Sequence, residues 1–323
     1  MLAIKPFNGQ HCETTTNGTL LYQQGIELSE PLLFGLGEGL GFIFWHMKSM
    51  PMPFIGGRVK PDQLTDNLVK HLNLSIERQE TSSPSKAWAI IKTWLDQGQA
   101  VGLKLDCFYL EYFSNPIHFA GHYAAIYGYD QHNAYLVDTQ QQGGTVQTSL
   151  ESLAQARNAK GSMASKNLAY TLKRGAEYDL TQAVRQAISN NAQAYLNPPI
   201  TNVSYKGIRK ASAALQSWFE SSADIEYDFC TTAMLMERAG TGGSLFRKLY
   251  RDFLAEASTM IDSKQLRQAE SSFATIAENW TEVAALLDQA GKDHDLKPIQ
   301  AASTLMNQIA EQEYQAMQQL ASL

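Results

Sequence analysis

Cysteine is scarce in this 323-residue chain: three thiols, Cys12, Cys107 and Cys230, stand far apart. They form no CxxC pair and no disulfide framework, which excludes a zinc ribbon and a disulfide-stapled secreted scaffold. Long hydrophobic runs are missing too. The most apolar stretch, PLLFGLGEGLGFIFW, is broken by four glycines and a glutamate, and it falls short of the roughly 20 apolar residues of a membrane span. The opening MLAIKPFNGQ has no apolar signal-peptide core. Basic blocks are absent and the net charge is −6, which argues against nucleic acid and against an anionic membrane as partners. The expectation is a cytoplasmic protein with reduced thiols.

What is present is globular. Apolar residues make up 44% and charged residues 18%, enough to build packed cores. At this length two domains are expected rather than one. The texture of the chain changes near residues 173–175, giving an expected first domain of 1–174 and a second of 175–323. The first half mixes helical and extended signals. The second is rich in Ala and Gln with helical periodicity, and reads as a bundle or cap of about six helices starting near Tyr178, Tyr205, Ile225, Ser244, Ser263 and Lys297.

Within the first half, residues 12–24 read as a helix stopped by Gly25, and Ser29-Glu30-Pro31 opens a short one. LGFIFW (40–45) reads as a strand. PDQLTDNLVKHLN is an amphipathic helix and LSIERQE a strand; SPSKAWAIIKTWLDQG is a helix capped by Ser83, and AVGLKLD follows as a strand. HYAAIYGYD and AYLVDT form a hairpin around DQHN, and KNLAYTLKR supplies a last strand. Helix first and antiparallel strands afterwards is an α+β pattern.

Cys12 sits at the start of the first helix, where unpaired N–H groups carry partial positive charge. A thiol is nucleophilic as thiolate, and a helix N-terminus or an imidazolium favours that form. Glu13 opposes that effect on the thiol while suiting the helix dipole. The same N–H groups suit an oxyanion. HFAGHYAAIYGYD supplies His118 and His122, and Asp138 ends the partner strand in an apolar run, where a carboxylate needs a partner. Register sets a condition. If Tyr129 pairs with Ala134, a regular ladder puts Asp138 opposite Ala125, on the other face from His122. A bulge or an asymmetric loop must correct the parity.

Cysteine on a helix start, then histidine on a strand, then aspartate on the next is the chain order of papain-like cysteine enzymes. HCETTTNGTLLYQQGIELSEPLLFGLGEGLGFIF, GGR at 56–58, GHYAAIYGYD and YLVDT resemble the N-terminal domain family of butirosin biosynthesis protein H. GTGGSLFRKLYRDFLAEAS and AENWTEVAALL resemble the helical domain of unknown function that often follows it. The resemblance implies a papain-like domain with a central antiparallel sheet, and an acyltransferase that moves an acyl group from a small-molecule or carrier-protein thioester to an amine. It makes Cys12 the nucleophile, His122 the base and Asp138 its orienting group. Gln10, His118 and Arg58 are candidates for the oxyanion or the substrate. No cofactor is expected.

Other readings stand beside this one. A peptidase or amidase shares the triad and differs in its acceptor. A non-catalytic binding protein on the same fold is a third reading, and a homo-oligomer is compatible with all three. Metal binding by His11, Cys12, His118 and His122 matches no usual zinc spacing. Cys107 and Cys230 read as packing. GLGEGLG does not fit GxGxxG, and its glycines are better explained by close backbone approach. GTGG before a helix suits either an anion or a plain turn. Arg58 and Arg247 suit a carboxylate or phosphate, with a solvated surface role as the plainer reading, and His46, His71, His132 and His294 read as surface or turn residues. Trp88 and Trp94 read as core.

Overall fold

The computed structural model describes residues 1–47, 50–114, 117–161 and 164–323. In chain order the first elements are α1 (Cys12–Gln23), α2 (Glu30–Leu36), β1 (Leu40–Trp45), β2 (Phe54–Arg58), α3 (Gln63–His71), β3 (Ser75–Gln79) and α4 (Pro84–Asp96). Next come β4 (Val101–Leu105), β5 (His122–Tyr129), β6 (Asn133–Val137), β7 (Thr145–Ser149), α5 (Leu150–Arg157) and β8 (Ala169–Lys173). The rest is helical: α6 (Leu180–Leu196), α7 (Ser204–Ser221), α8 (Ile225–Arg238), α9 (Arg247–Met260), α10 (Lys264–Asp293) and α11 (Leu296–Leu320). Among the described residues no helix is long and apolar enough to cross a membrane.

The chain is α+β and divides into two compact units, Met1–Leu33 with Thr65–Tyr178, and Phe34–Leu64 with Asp179–Leu323. The first is built on a six-stranded sheet in the order β3-β8-β4-β5-β6-β7, every neighbouring pair antiparallel. Its central strands carry near-continuous apolar runs, as strands covered on both sides must. Leu103, Leu105, Ala124, Ile126 and Leu136 pack with Ile91 and Trp94 of α4 and Leu153 of α5. Trp88, partly buried, meets Tyr129 edge-on at 5.2 Å. Ser83 caps α4 as expected, its hydroxyl accepting from the Lys86 N–H.

Helix α1 packs along β5 and β4. It is buried from Cys12 to Leu21 although its sequence, CETTTNGTLLYQ, is largely polar. Such a helix is stable only if its polar groups are satisfied internally. Thr19 Oγ1 donates to the Thr15 carbonyl at 2.9 Å, Tyr170 donates its hydroxyl to Asn17 Oδ1 at 2.8 Å, and Asn17 Nδ2 reaches Thr65 Oγ1 at 2.9 Å. Glu13, fully buried, accepts from Thr65 Oγ1 at 2.8 Å.

The second unit joins the β1–β2 ribbon to α6–α11. Helix α10 packs against α8, α9 and α11 through Phe273, Ile276, Trp280, Val283 and Leu287, spaced three or four apart on one face. Residues 34–64, which the sequence reading kept with the first half, belong here because their aromatics find partners here. Phe42 stacks on Trp280 at 5.6 Å and Phe34 on Phe246 at 5.4 Å. Gly41 explains part of the glycine-rich stretch: a Cβ there would lie 2.9 Å from the Arg58 carbonyl carbon, so the two strands meet closely at that point.

Several expectations change. Elements β2, β7 and α5 lie where the sequence reading places no helix or strand. His71, expected at the surface, is 8% exposed. Arg247 is fully buried: its Nε and Nη2 donate to Glu313 at 2.8 and 2.9 Å, and its Nη1 to the Leu245 and Gly57 carbonyls at 2.7 and 3.1 Å. Glu313 also accepts from Trp280 Nε1 at 2.8 Å and from the Tyr195 hydroxyl. A long cation is taken out of water here because each of its guanidinium nitrogens has an acceptor. The GTGG segment is a turn in which Gly240 donates to the Arg238 carbonyl at 2.9 Å and Gly243 to Thr241 Oγ1 at 3.0 Å, and the Ser244 N–H that follows donates to Glu237 Oε1 at 2.9 Å.

Candidate active site

All the residues of the candidate site that the structure brings together lie in the first unit. His122 begins β5, opposite Leu105 of β4. Its Nε2 lies 2.7 Å from Oδ2 of Asp138, the residue just after β6. The parity problem posed by the sequence is solved by a bulge. Tyr129 does pair with Ala134, but the register shifts between Ile126 and Gly128, so that Ala125 faces Val137. Asp138 thereby continues opposite Ala124, two residues from His122 and on its face.

Asp138 is 1% exposed and fully engaged. Besides His122 it accepts from the Tyr112 hydroxyl at 2.8 Å and from the Thr139 N–H at 2.6 Å. Tyr112 stays a neutral donor, since burial first and the Asp138 charge second push its phenol well above its ordinary range. Phe113 closes the side of the imidazole, edge-on at 5.2 Å. Tyr112 and Phe113 therefore wall in the His122–Asp138 pair.

Cys12 is the first residue of α1 and is 8% exposed. Its thiol is a hydrogen-bonding and charge partner of His122. With Nε2 committed to Asp138, Nδ1 is the ring nitrogen left for sulfur. Burial draws the His122 imidazolium down, but the Asp138 charge and hydrogen bond, with those of Cys12, outweigh it and hold the ring well above its usual range. The first intrahelical bond of α1 runs from Thr15 N to His11 O at 2.9 Å, so the N–H groups of residues 12–14 precede the helical ladder.

Glu30 was not singled out by the sequence, and it clamps the approach to Cys12. Its carboxylate accepts from the Gln10 N–H at 2.9 Å, the His11 N–H at 2.8 Å and the Thr14 hydroxyl at 2.8 Å. The only local signal was an acid in the first turn of α2, which says nothing about a partner twenty residues back. Tyr112 was missed for the same reason.

The remaining candidates are placed as follows. Gln10 is exposed and enters through its backbone. His118 is exposed, with Nδ1 held by Asp106 Oδ2 at 3.0 Å; Pro116, two residues before it, lies outside the described residues. Arg58 belongs to the second unit, where Nη1 donates to the Val59 carbonyl at 3.3 Å. Cys107 is buried, its thiol 3.4 Å from the Ile117 carbonyl, and burial above all pushes it up to about 11. Among the described residues no cluster of three or more His, Cys, Asp or Glu side chains is arranged to hold a metal.

Comparison with known families brackets this arrangement. Residues 11–139 match the family described as butirosin biosynthesis protein H, N-terminal, a span that opens one residue before Cys12 and closes one after Asp138. Residues 151–320 match a domain of unknown function, DUF4872. No curated protein matches the chain. The chain belongs to the family in which a butirosin biosynthesis protein H N-terminal domain is followed by a DUF4872 domain.

Proposed function

We propose that the protein is a papain-like acyltransferase of a biosynthetic, antibiotic-type pathway, working through a thioester on Cys12. The observation that carries this reading is the position of His122, bonded through Nε2 to the buried Asp138 at 2.7 Å and coupled on its other side to the Cys12 thiol. The family match points the same way, toward an enzyme of secondary metabolism.

In this reading the Cys12 sulfur attacks the carbonyl of an acyl thioester, carried by a small thiol or a carrier protein. The N–H groups at the start of α1 are suited to the oxyanion. His122, protonated, gives its proton to the departing thiol, and Asp138 keeps the ring oriented while its charge changes. An amine then attacks the acyl-enzyme, the carbon–sulfur bond breaks, and the nitrogen's proton passes to His122.

Intact-protein mass spectrometry tests this directly. Incubation with the butyryl thioester of N-acetylcysteamine should add one butyryl group, absent in Cys12→Ala, and an added amine should release it as the amide. Release only as butyrate, whatever amine is supplied, turns the reading toward a hydrolase. Turnover that survives Cys12→Ala removes both.

A further inference from the structure

We propose that His118, oriented by Asp106, is the proton acceptor for the incoming amine, with Phe108 and Ile117 forming the apolar rim of an acceptor subsite. The proposal rests on the acyl-enzyme reading above and concerns only its second half.

Asp106 directly follows Leu105, the register partner of His122. Its carboxylate is 5% exposed and its two oxygens do different work. Oδ1 fastens the loop, accepting from the Phe108 N–H at 3.1 Å and the Phe119 N–H at 2.9 Å. That is sufficient to cap the short turn at Cys107–Tyr109. Oδ2 is left for His118 Nδ1 at 3.0 Å, although the His118 side chain is 62% exposed. A buried carboxylate that orients an exposed imidazole fixes its tautomer: Nδ1 carries the hydrogen and Nε2 presents its lone pair.

This second pair borders the first. Asp106 lies one residue beyond the strand position paired with His122, and Phe113 packs edge-on against the His122 ring at 5.2 Å. The surroundings of His118 are those of a binding surface. Phe108 stacks on its ring at 3.8 Å and is itself 41% exposed, and Ile117 is 52% exposed. Apart from the terminal Met1, these two are the exposed large hydrophobics among the described residues of the first unit, and both flank His118. The chemistry fits a primary amine carried beside an apolar or ring-shaped face.

A primary amine arrives as its ammonium ion, the ordinary pKa of such a group being near 10.4, and an ammonium has no lone pair to attack with. His118 Nε2 takes one proton, the freed nitrogen attacks the acyl carbon, and the second proton passes to His122 as the carbon–sulfur bond breaks. The sulfur keeps the bonding pair, the product leaves as a neutral amide, and His118 returns its proton to water.

The test separates the two half-reactions on the full-length protein, with the butyryl thioester of N-acetylcysteamine as donor and benzylamine as acceptor. His118→Ala should acquire the Cys12 adduct and hydrolyse it at the wild-type rates. Its aminolysis should fall roughly 10- to 100-fold, the range expected for a lost general base, and free imidazole should restore it. His118→Gln, which keeps a donor toward Asp106, should behave the same way if the alanine variant folds poorly. Phe108→Ala should raise KM for benzylamine. Aminolysis at the wild-type rate in both His118 variants overturns the proposal. So does a loss of adduct formation in step with aminolysis that imidazole does not restore. A wild-type protein that forms no adduct overturns the acyl-enzyme reading itself, and this proposal with it.

Discussion

The backbone N–H of Gln140 donates to the carbonyl of Gly9 at 2.8 Å. This one bond joins the segment that leads into Cys12 to the loop that leaves Asp138. Glu30 holds the same segment through the Gln10 and His11 N–H groups. The start of α1 is thus fixed by both the neighbouring helix and the strand end that carries the aspartate. Cys12 and Asp138 share a frame.

Gly9 is the tight point of that frame. A Cβ there would meet Thr15 Oγ1 at 2.4 Å and Glu30 Oε1 at 3.0 Å. Gly9→Ala should cost about 1–3 kcal/mol, as overpacked positions do, and should slow alkylation of Cys12 by iodoacetamide. Thermal melts and labelling rates check both. A variant as stable and as reactive as the parent shows that the frame has slack.

Replacing Glu30 by Gln keeps the shape and turns one acceptor into a donor facing backbone N–H groups. A loss of about 1–3 kcal/mol is expected from the groups left unsatisfied, with slower Cys12 labelling and an undisturbed first-unit sheet by circular dichroism. Chemical denaturation measures the first effect. Labelling unchanged in Glu30→Gln separates the clamp from the reactivity of Cys12.

His122 gives a pH signature. Its folded pKa lies well above the ordinary value because the Asp138 and Cys12 contributions exceed the opposing cost of burial. The folded protein therefore keeps a proton that the unfolded chain gives up near pH 6.5. The stabilisation is complete below that pH and is lost as pH rises through the folded pKa. The difference in Tm between the parent and His122→Gln should be largest below about pH 6.5 and shrink at higher pH. A gap that widens with pH contradicts the assignment.

The thiols should separate by reactivity. With burial pushing Cys107 up to about 11, iodoacetamide at neutral pH should leave it unmodified in the folded protein and modify it after denaturation. Peptide mapping reads this out. Alkylation of native Cys107 at the rate of a free thiol shows that it is not buried as described.

In the second unit, Glu313→Ala leaves the Arg247 guanidinium buried without its carboxylate. The expected loss is about 3–5 kcal/mol, whereas Arg209→Ala, which removes a half-exposed ion pair with Glu311, should cost less than about 1 kcal/mol. Urea unfolding of the two variants compares them. Equal costs mean that the Arg247 network contributes no more than a surface pair.

The sequence alone determined those features whose causes are local. The Ser83 cap, the turn at Gly25, the hairpin around Asp130 and the helical periodicity of the second half all follow from a few adjacent residues. The order Cys12, His122, Asp138 was equally legible, and so was the need for a bulge, because strand parity is arithmetic. Tertiary structure decided what depends on partners far along the chain. Residues 34–64 read as part of the first half until Phe34 and Phe42 met Phe246 and Trp280. Arg247 read as a surface cation until Glu313, 66 residues away, accounted for its burial. Glu30 and Tyr112 hold the candidate site through contacts 19 and 26 residues apart in sequence. A short-range pattern records what a segment prefers, while the burial of a charge or a ring is settled by whichever distant side chain completes its shell.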